Sequence, residues 1–178
     1  MKSAVEQLAT YKSVHLNPKN IQTHFVGVPL IIWSLFLALS LVDFDLGVGV
    51  SISLAVVFAA VVLVYYFILH VKLAFGLTLF ILPVLLTSAW VAQSEYAIWI
   101  AVSVFIIAWA IQFVGHHYEK AKPAFADDIN QLLIGPFFLM AELYFMFGLE
   151  QQLAQTIKPL AIEKRRALEA ARKKDVAS

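Results

Sequence analysis

Long apolar runs divided by short polar breaks dominate the chain. They cover about residues 25–42, 48–69, 73–92 and 96–114, with a last run at about 132–149. A helix crossing the bilayer core needs about 17–25 predominantly apolar residues, so the first four runs predict transmembrane helices. The third holds Pro83 in its interior, where a kink is expected. Ahead of these runs, Val5, Leu8 and Tyr11 lie at helix spacing among Glu6, Gln7 and Lys12. Residues 1–16 therefore predict a short amphipathic helix lying on a membrane surface. Asn17-Pro18 predicts the next helix start, with asparagine as cap and proline in the first turn. Asp43, Asp45, Gly47 and Gly49 break the pattern after the first run, and Gln93-Ser94-Glu95 breaks it after the third.

Composition agrees with this pattern. Hydrophobic residues make up 61% of the 178 positions and charged residues 14%, against about 45–50% and about 25% in soluble domains. The expectation is one integral-membrane domain over residues 1–178, ending in a solvated basic tail at 151–178. The absence of cysteine excludes disulfides, thiolate catalysis and cysteine-ligated zinc or iron–sulfur centres. The polar N-terminus lacks the short apolar region of a removable signal peptide, so none is expected.

The placement of charge says more than the net +1. Lys2, Lys12 and Lys19 precede the first run, whereas the first break has only Asp43 and Asp45 and the third only Glu95. The remaining basic residues fall at Lys72, in the 115–131 loop and in the tail, where Lys158–Lys174 holds seven Lys or Arg against two Glu. Four spans with both termini cytoplasmic satisfy the positive-inside rule, and a fifth full span would put the basic tail outside. The last run, interrupted by Gly135-Pro136, is therefore expected to be re-entrant or interfacial. The fold class expected is an all-α membrane protein: a bundle of four transmembrane helices, a re-entrant or interfacial apolar helix and a basic C-terminal helix. Lys12, Lys19 and Lys122 read as headgroup contacts or topology determinants, and membrane lipids are expected partners.

The five histidines, His15, His24, His70, His116 and His117, each lie near an end of an apolar run. The topology returns all five to the cytoplasmic face. Helix spacing puts Gln112, His116 and Glu119 on one face, and Asn20, His24 and Gly27 roughly on another. Imidazoles bind iron, zinc, copper and nickel well, and a carboxylate beside two histidines is a usual non-haem Fe(II) arrangement. Glu119, Asp127, Asp128 and Glu142 are candidate carboxylates. Asn20 and Gln112 would orient imidazoles or bind a substrate carboxylate. Glu142 lies in an apolar run, where an unpaired ionisable group is costly; its plainer reading is a structural pair with a histidine or lysine. His70 or His117 alone reads more simply as an interfacial side chain. The zinc-protease motif, the nucleophile elbow, the P-loop and the dinucleotide fingerprint are all absent, and nothing points to nucleic acid.

Tyr11, His15, Asn17-Pro18, Asn20, His24, Gly27 and Pro29 together resemble the first signature of the Mpo1-like family of membrane proteins. Gln112, Gly115-His116, Glu119 and Pro123-Ala124 resemble its second, and Gly135-Pro136-Phe137 with Glu142 its third. The resemblance runs from about Tyr11 to Glu150. It implies an Fe2+-dependent dioxygenase that takes a 2-hydroxy fatty acid and O2 in alpha-oxidation and yields a fatty acid one carbon shorter. By position, His15, His24 and His116 would be the strongest iron ligands, with Glu119 near them and Asn20, Gln112 and Glu142 as supporting site residues. His70 lies outside the matched signatures but is kept as a fourth ligand because the topology brings it to the same face; His117 ranks lower. The fungal members act in the endoplasmic reticulum, whereas the length and lack of a targeting signal here fit a bacterial inner-membrane member. The reading of a different class is a metal-independent binding or permease-like protein with a polar site at Glu142. A homo-oligomer is left open.

Overall fold

A computed structural model of the protein describes residues 2–47, 49–122, 124 and 128–177. Among the described residues the chain forms helices α1 (Ala4–Ser13), α2 (Pro18–Leu39), α3 (Leu54–Leu69), α4 (Val71–Val91), α5 (Ala97–Glu119), α6 (Gln131–Met146) and α7 (Gln151–Ala177). A two-stranded antiparallel hairpin, β1 (Asp43–Asp45) with β2 (Ser51–Ser53), joins α2 to α3. The sequence pattern marked that stretch only as a break; it turns through Gly47 and Gly49, both at positive φ, a conformation open to glycine.

The helix boundaries follow local chemistry. The Ser3 hydroxyl accepts the Glu6 amide at 3.2 Å to open α1. The Asn17 side chain accepts the Lys19 amide at 2.9 Å with Pro18 in the first turn of α2, as the Asn-Pro pair predicts. Lys120, at φ 55, closes α5 in the left-handed conformation.

Three helices, α2, α4 and α5, are long and apolar enough to cross a membrane among the described residues, and this is a membrane-type protein. Pro29 and Pro83 lie within α2 and α4. The expected second span, α3, has 16 residues, or about 24 Å of rise against a core of about 30 Å. Ile52, an apolar position of the expected run, belongs to β2 instead.

Helices α2 and α5 form the most extensive pair, and glycine permits the approach. A Cβ at Gly27 would overlap the Gln112 amide, and one at Gly115 would overlap the Thr23 hydroxyl. Both ends of α6 are tied to the turn between α3 and α4. Tyr66 donates its hydroxyl to the Leu133 carbonyl at 2.6 Å, and Tyr144 donates to the Lys72 carbonyl at 2.9 Å. Helix α6 therefore lies across that end of the bundle, where α1, the start of α2 and the end of α5 also meet.

Two terminal segments are more embedded than their composition implies. The amphipathic helix expected at 1–16 forms, but Leu8, Ala9 and Tyr11 are buried in protein together with Gln7. The tail at 151–178, expected to be solvated, forms α7 and packs along α1 with Ile157 and Ala161 buried. An apolar stripe finds a protein partner where one is within reach, because burial stabilises by about 25 cal/mol per Å2 of apolar surface.

Candidate metal centre

Three histidines from three segments converge. His15 lies in the α1–α2 link, His24 two turns into α2 and His116 in the last turn of α5, and each offers a ring nitrogen within 4.8 Å of the others. Two of the rings are fixed by carbonyls four residues back: His15 Nδ1 donates to the Tyr11 carbonyl at 2.7 Å, and His24 Nδ1 donates to the Asn20 carbonyl at 2.8 Å. A carbonyl can only accept, so both Nδ1 atoms carry protons and both Nε2 atoms present lone pairs. Those two Nε2 atoms face each other at 3.0 Å. Tyr11 stacks on His15, with ring centroids 4.1 Å apart and planes 3° from parallel.

Burial, followed by the neighbouring His24 imidazole, holds His15 well below the usual imidazole pKa, so it stays neutral and able to ligate. Lone pairs opposed at 3.0 Å repel unless a cation or proton sits between them. Two imidazole nitrogens bonded to one metal at about 2.0–2.1 Å each stand only about 3–3.5 Å from one another. The buried Nδ1 of His116 has no hydrogen-bond partner among the described residues. The donor set thus fits a divalent metal of the kind imidazole prefers.

A cavity of about 80 Å3 adjoins the cluster, walled by Val28, Ile31 and Ile32 of α2, Trp109 and Gln112 of α5, and Pro136 of α6. Gln112 is 3% exposed, and neither its amide nitrogen nor its oxygen has a hydrogen-bond partner among the described residues. A buried amide without partners costs about 1–3 kcal/mol, and this one lines the cavity. The Gln131 oxygen is likewise unpartnered, while its nitrogen donates to Gln7 at 3.0 Å.

The other sequence candidates are placed elsewhere. Glu119 is buried, and its carboxylate accepts the Leu16 and Asn17 amides at 3.1 and 2.8 Å, the Asn20 amide group at 3.2 Å and Arg165 at 3.3 Å. It binds the end of α5 to the start of α2, where the helix dipole also favours a negative charge. Asn20, fully buried, joins Glu119 to the carbonyl that orients His24. His70 caps α4 and faces Glu150 at 3.3 Å, and exposed His117 lies beside Tyr118; neither joins the cluster. Asp128 pairs with Lys2 at 3.2 Å, and Asp127 lies outside the described residues.

Glu142 meets Lys12 at 2.5 Å, with the side chains 15% and 16% exposed. The plainer reading, a structural pair, describes this contact. Glu142→Gln is expected to destabilise the protein by about 1–3 kcal/mol, less than the about 3–5 kcal/mol of a fully buried pair because both groups reach water. Thermal unfolding in detergent checks this, and a double change with Lys12→Met should recover part of the loss. Metal content should stay at the unmodified level; loss of metal in Glu142→Gln would count against a purely structural pair.

Arg165 was not legible as a site residue. From α7 it reaches the Ser13 carbonyl at 3.4 Å and both the carboxylate and the carbonyl of Glu119, the latter at 3.1 Å. It thus spans the segments that carry His15 and His116. Nothing local in the basic tail distinguishes it from its neighbours.

No solved structure matches the chain. Residues 1–147 match the family described as 2-hydroxy-palmitic acid dioxygenase Mpo1-like. The 2-hydroxy-palmitic acid dioxygenase MPO1 of Saccharomyces cerevisiae is 34% identical over 155 residues, which cover 85% of this chain and 86% of the yeast protein. With helices α1 to α6 and all three clustered histidines inside the matched region, the chain belongs to the Mpo1-like family.

Proposed function

We propose that this protein is an Fe(II)-dependent dioxygenase that shortens 2-hydroxy fatty acids by one carbon. The observation that carries the reading is the His15–His24–His116 cluster, with two bare Nε2 atoms held 3.0 Å apart beside a cavity that contains the unpartnered Gln112 amide. The name of the yeast relative supplies the substrate class. His15, His24 and His116 would hold the iron, which when bound supplies the activation of O2.

The chain's own residues bind, orient and exclude water. The Tyr11 and Asn20 carbonyls hold the imidazoles in the ligating tautomer. The Gln112 amide can donate to the carboxylate of a 2-hydroxy acid and accept from its hydroxyl, which would satisfy both of its buried atoms. The apolar walls from α2 and Trp109 keep bulk water from the reacting carbons. When the hydroxyl-bearing carbon becomes the new carboxyl and the old carboxyl carbon leaves as carbon dioxide, the electrons released equal those one O2 accepts. The reaction then needs no further reductant.

In the membrane, α2 to α5 would form the four-helix bundle, with α3 the shortest member. Helix α6, whose two ends meet the same α3–α4 turn, would lie at the interface. The charge distribution favours that end, both termini and the cluster on the cytoplasmic side of a bacterial inner membrane. Protein purified anaerobically in detergent is expected to contain iron without haem absorption and to convert 2-hydroxypalmitate to pentadecanoate in an oxygen-dependent manner. Folded protein that takes up no iron and leaves 2-hydroxypalmitate unchanged would sink the proposal.

A further inference from the structure

A second cavity, of about 90 Å3, lies under α6 between α2 and α4. Val28, Ile32 and Pro136 line both this cavity and the one beside the histidines, so the two share a wall. Both have mainly apolar walls, but only the first also carries polar groups. The first contains Gln112, Gln131 and the imidazoles, whereas the second is lined only by apolar side chains.

The helix faces that build the second cavity are regular. On α2 they are Phe25, Val28, Pro29 and Ile32, and on α6 Pro136, Leu139, Met140 and Leu143. Each set follows i, i+3, i+4 and i+7, one continuous stripe of a helix. Leu77 and Phe80 of α4 close the side away from the histidines. A stripe of this kind usually buries itself against its neighbour; here the two stripes meet in part and also line a half-open apolar groove. An apolar chain lying in this groove would gain dispersion contacts with both stripes.

We infer that the cavity bounded by α2, α4 and α6 is the subsite for the acyl chain of the 2-hydroxy acid, receiving the methylenes nearest the head group. This inference rests on the proposed function and adds which residues hold the tail. The Val28–Ile32–Pro136 wall sets the register: the head stays with Gln112 and the histidines, and the chain passes that wall beneath α6. A bilayer lipid chain has the same apolar chemistry, but the adjoining cavity, with its histidines and the Gln112 amide, selects a ligand with a compact polar head at one end.

The first test is a chain-length series of 2-hydroxy acids on the intact protein. For the unmodified protein, kcat/KM should rise about three- to fourfold for each methylene that enters the cavity, as burial of a methylene predicts, and then level off. Leu77→Trp should fill the cavity and end the rise at a shorter chain; Phe80→Ala should open it and extend the rise to a longer one. Identical profiles in all three proteins would overturn the subsite while leaving the dioxygenase reading intact. Absence of oxygen-dependent turnover at every length would instead remove the function on which it rests.

A second test needs no turnover and uses the unmodified protein. Photolysis with 2-hydroxypalmitate carrying a diazirine a few carbons from the head group should label segments that contain Leu77, Phe80 or Met140, and excess unlabelled 2-hydroxypalmitate should suppress the labelling. A diazirine-bearing phosphatidylcholine should label exposed positions such as Leu79 and Leu86. Equal labelling of the cavity by the phospholipid, undiminished by 2-hydroxypalmitate, would assign the space to bilayer lipid and overturn the inference.

Discussion

His24→Ala is expected to strip the protein of iron and abolish its oxygen-dependent activity, and His116→Ala should do the same. Loss of an outer group that merely orients a ligand already costs about 10–100-fold in metal affinity. Removing one of three imidazoles should therefore exceed about a hundredfold. His24 stands in direct opposition to His15, Nε2 to Nε2 at 3.0 Å, so its loss leaves His15 facing an empty space. His70→Ala and His117→Ala are the discriminating controls. Both residues lie away from the cluster, His70 against Glu150 and His117 beside Tyr118, and both variants should keep iron at the unmodified level. Iron content by elemental analysis, with circular dichroism to verify helix content, decides the matter. Iron retained in folded His24→Ala would remove His24 from the centre, and iron lost equally from all four variants would show that it is held by something other than the three-histidine cluster.

Gly115→Val should destabilise the fold and weaken the metal site together. A side chain at this position would overlap the Thr23 hydroxyl and come within 2.5 Å of the Asn20 side-chain oxygen. Neither group can simply swing away: Thr23 is β-branched and bonded to the Asn20 carbonyl at 2.7 Å, and Asn20 is fully buried and bonded to Glu119. The helices must part instead, at a cost of about 1–3 kcal/mol. Because the Asn20 carbonyl holds the His24 ring and His116 follows Gly115 directly, iron affinity should fall together with stability. The neighbouring exposed Val114 supplies the control, since Val114→Ile should change neither. A Gly115→Val protein with the unfolding midpoint and iron content of the unmodified chain would refute the close-approach argument.

Several features were legible because they depend on local chemistry or on composition. The Asn17-Pro18 helix start needs only a capping amide and a proline with no N–H to lose. The apolar runs announced helices wherever backbone groups must satisfy one another without water, and α2, α4 and α5 formed close to the expected limits. The hairpin at 43–53 and the shortness of α3 escaped, because an apolar run does not say where its first residues leave the helix. At the site, helix spacing already set His24 and His116, each with a polar partner on its face, above His70 and His117, and the resemblance added His15.

What the sequence determined by itself was therefore a membrane-type helical chain, most of its helix limits and the residue types that could hold a metal. The tertiary structure decided which of those residues meet. It left His70 and His117 apart from the cluster, paired Glu142 with Lys12, and tied the Glu119 carboxylate to the start of α2 and to Arg165. It also docked the two termini against each other and set a wholly apolar groove beside the cavity that holds the histidines. The physical reason is range. Caps, turns and apolar runs are set by neighbours along the chain, whereas a metal site or an ion pair depends on groups about a hundred residues apart, whose meeting is fixed only by how the helices pack.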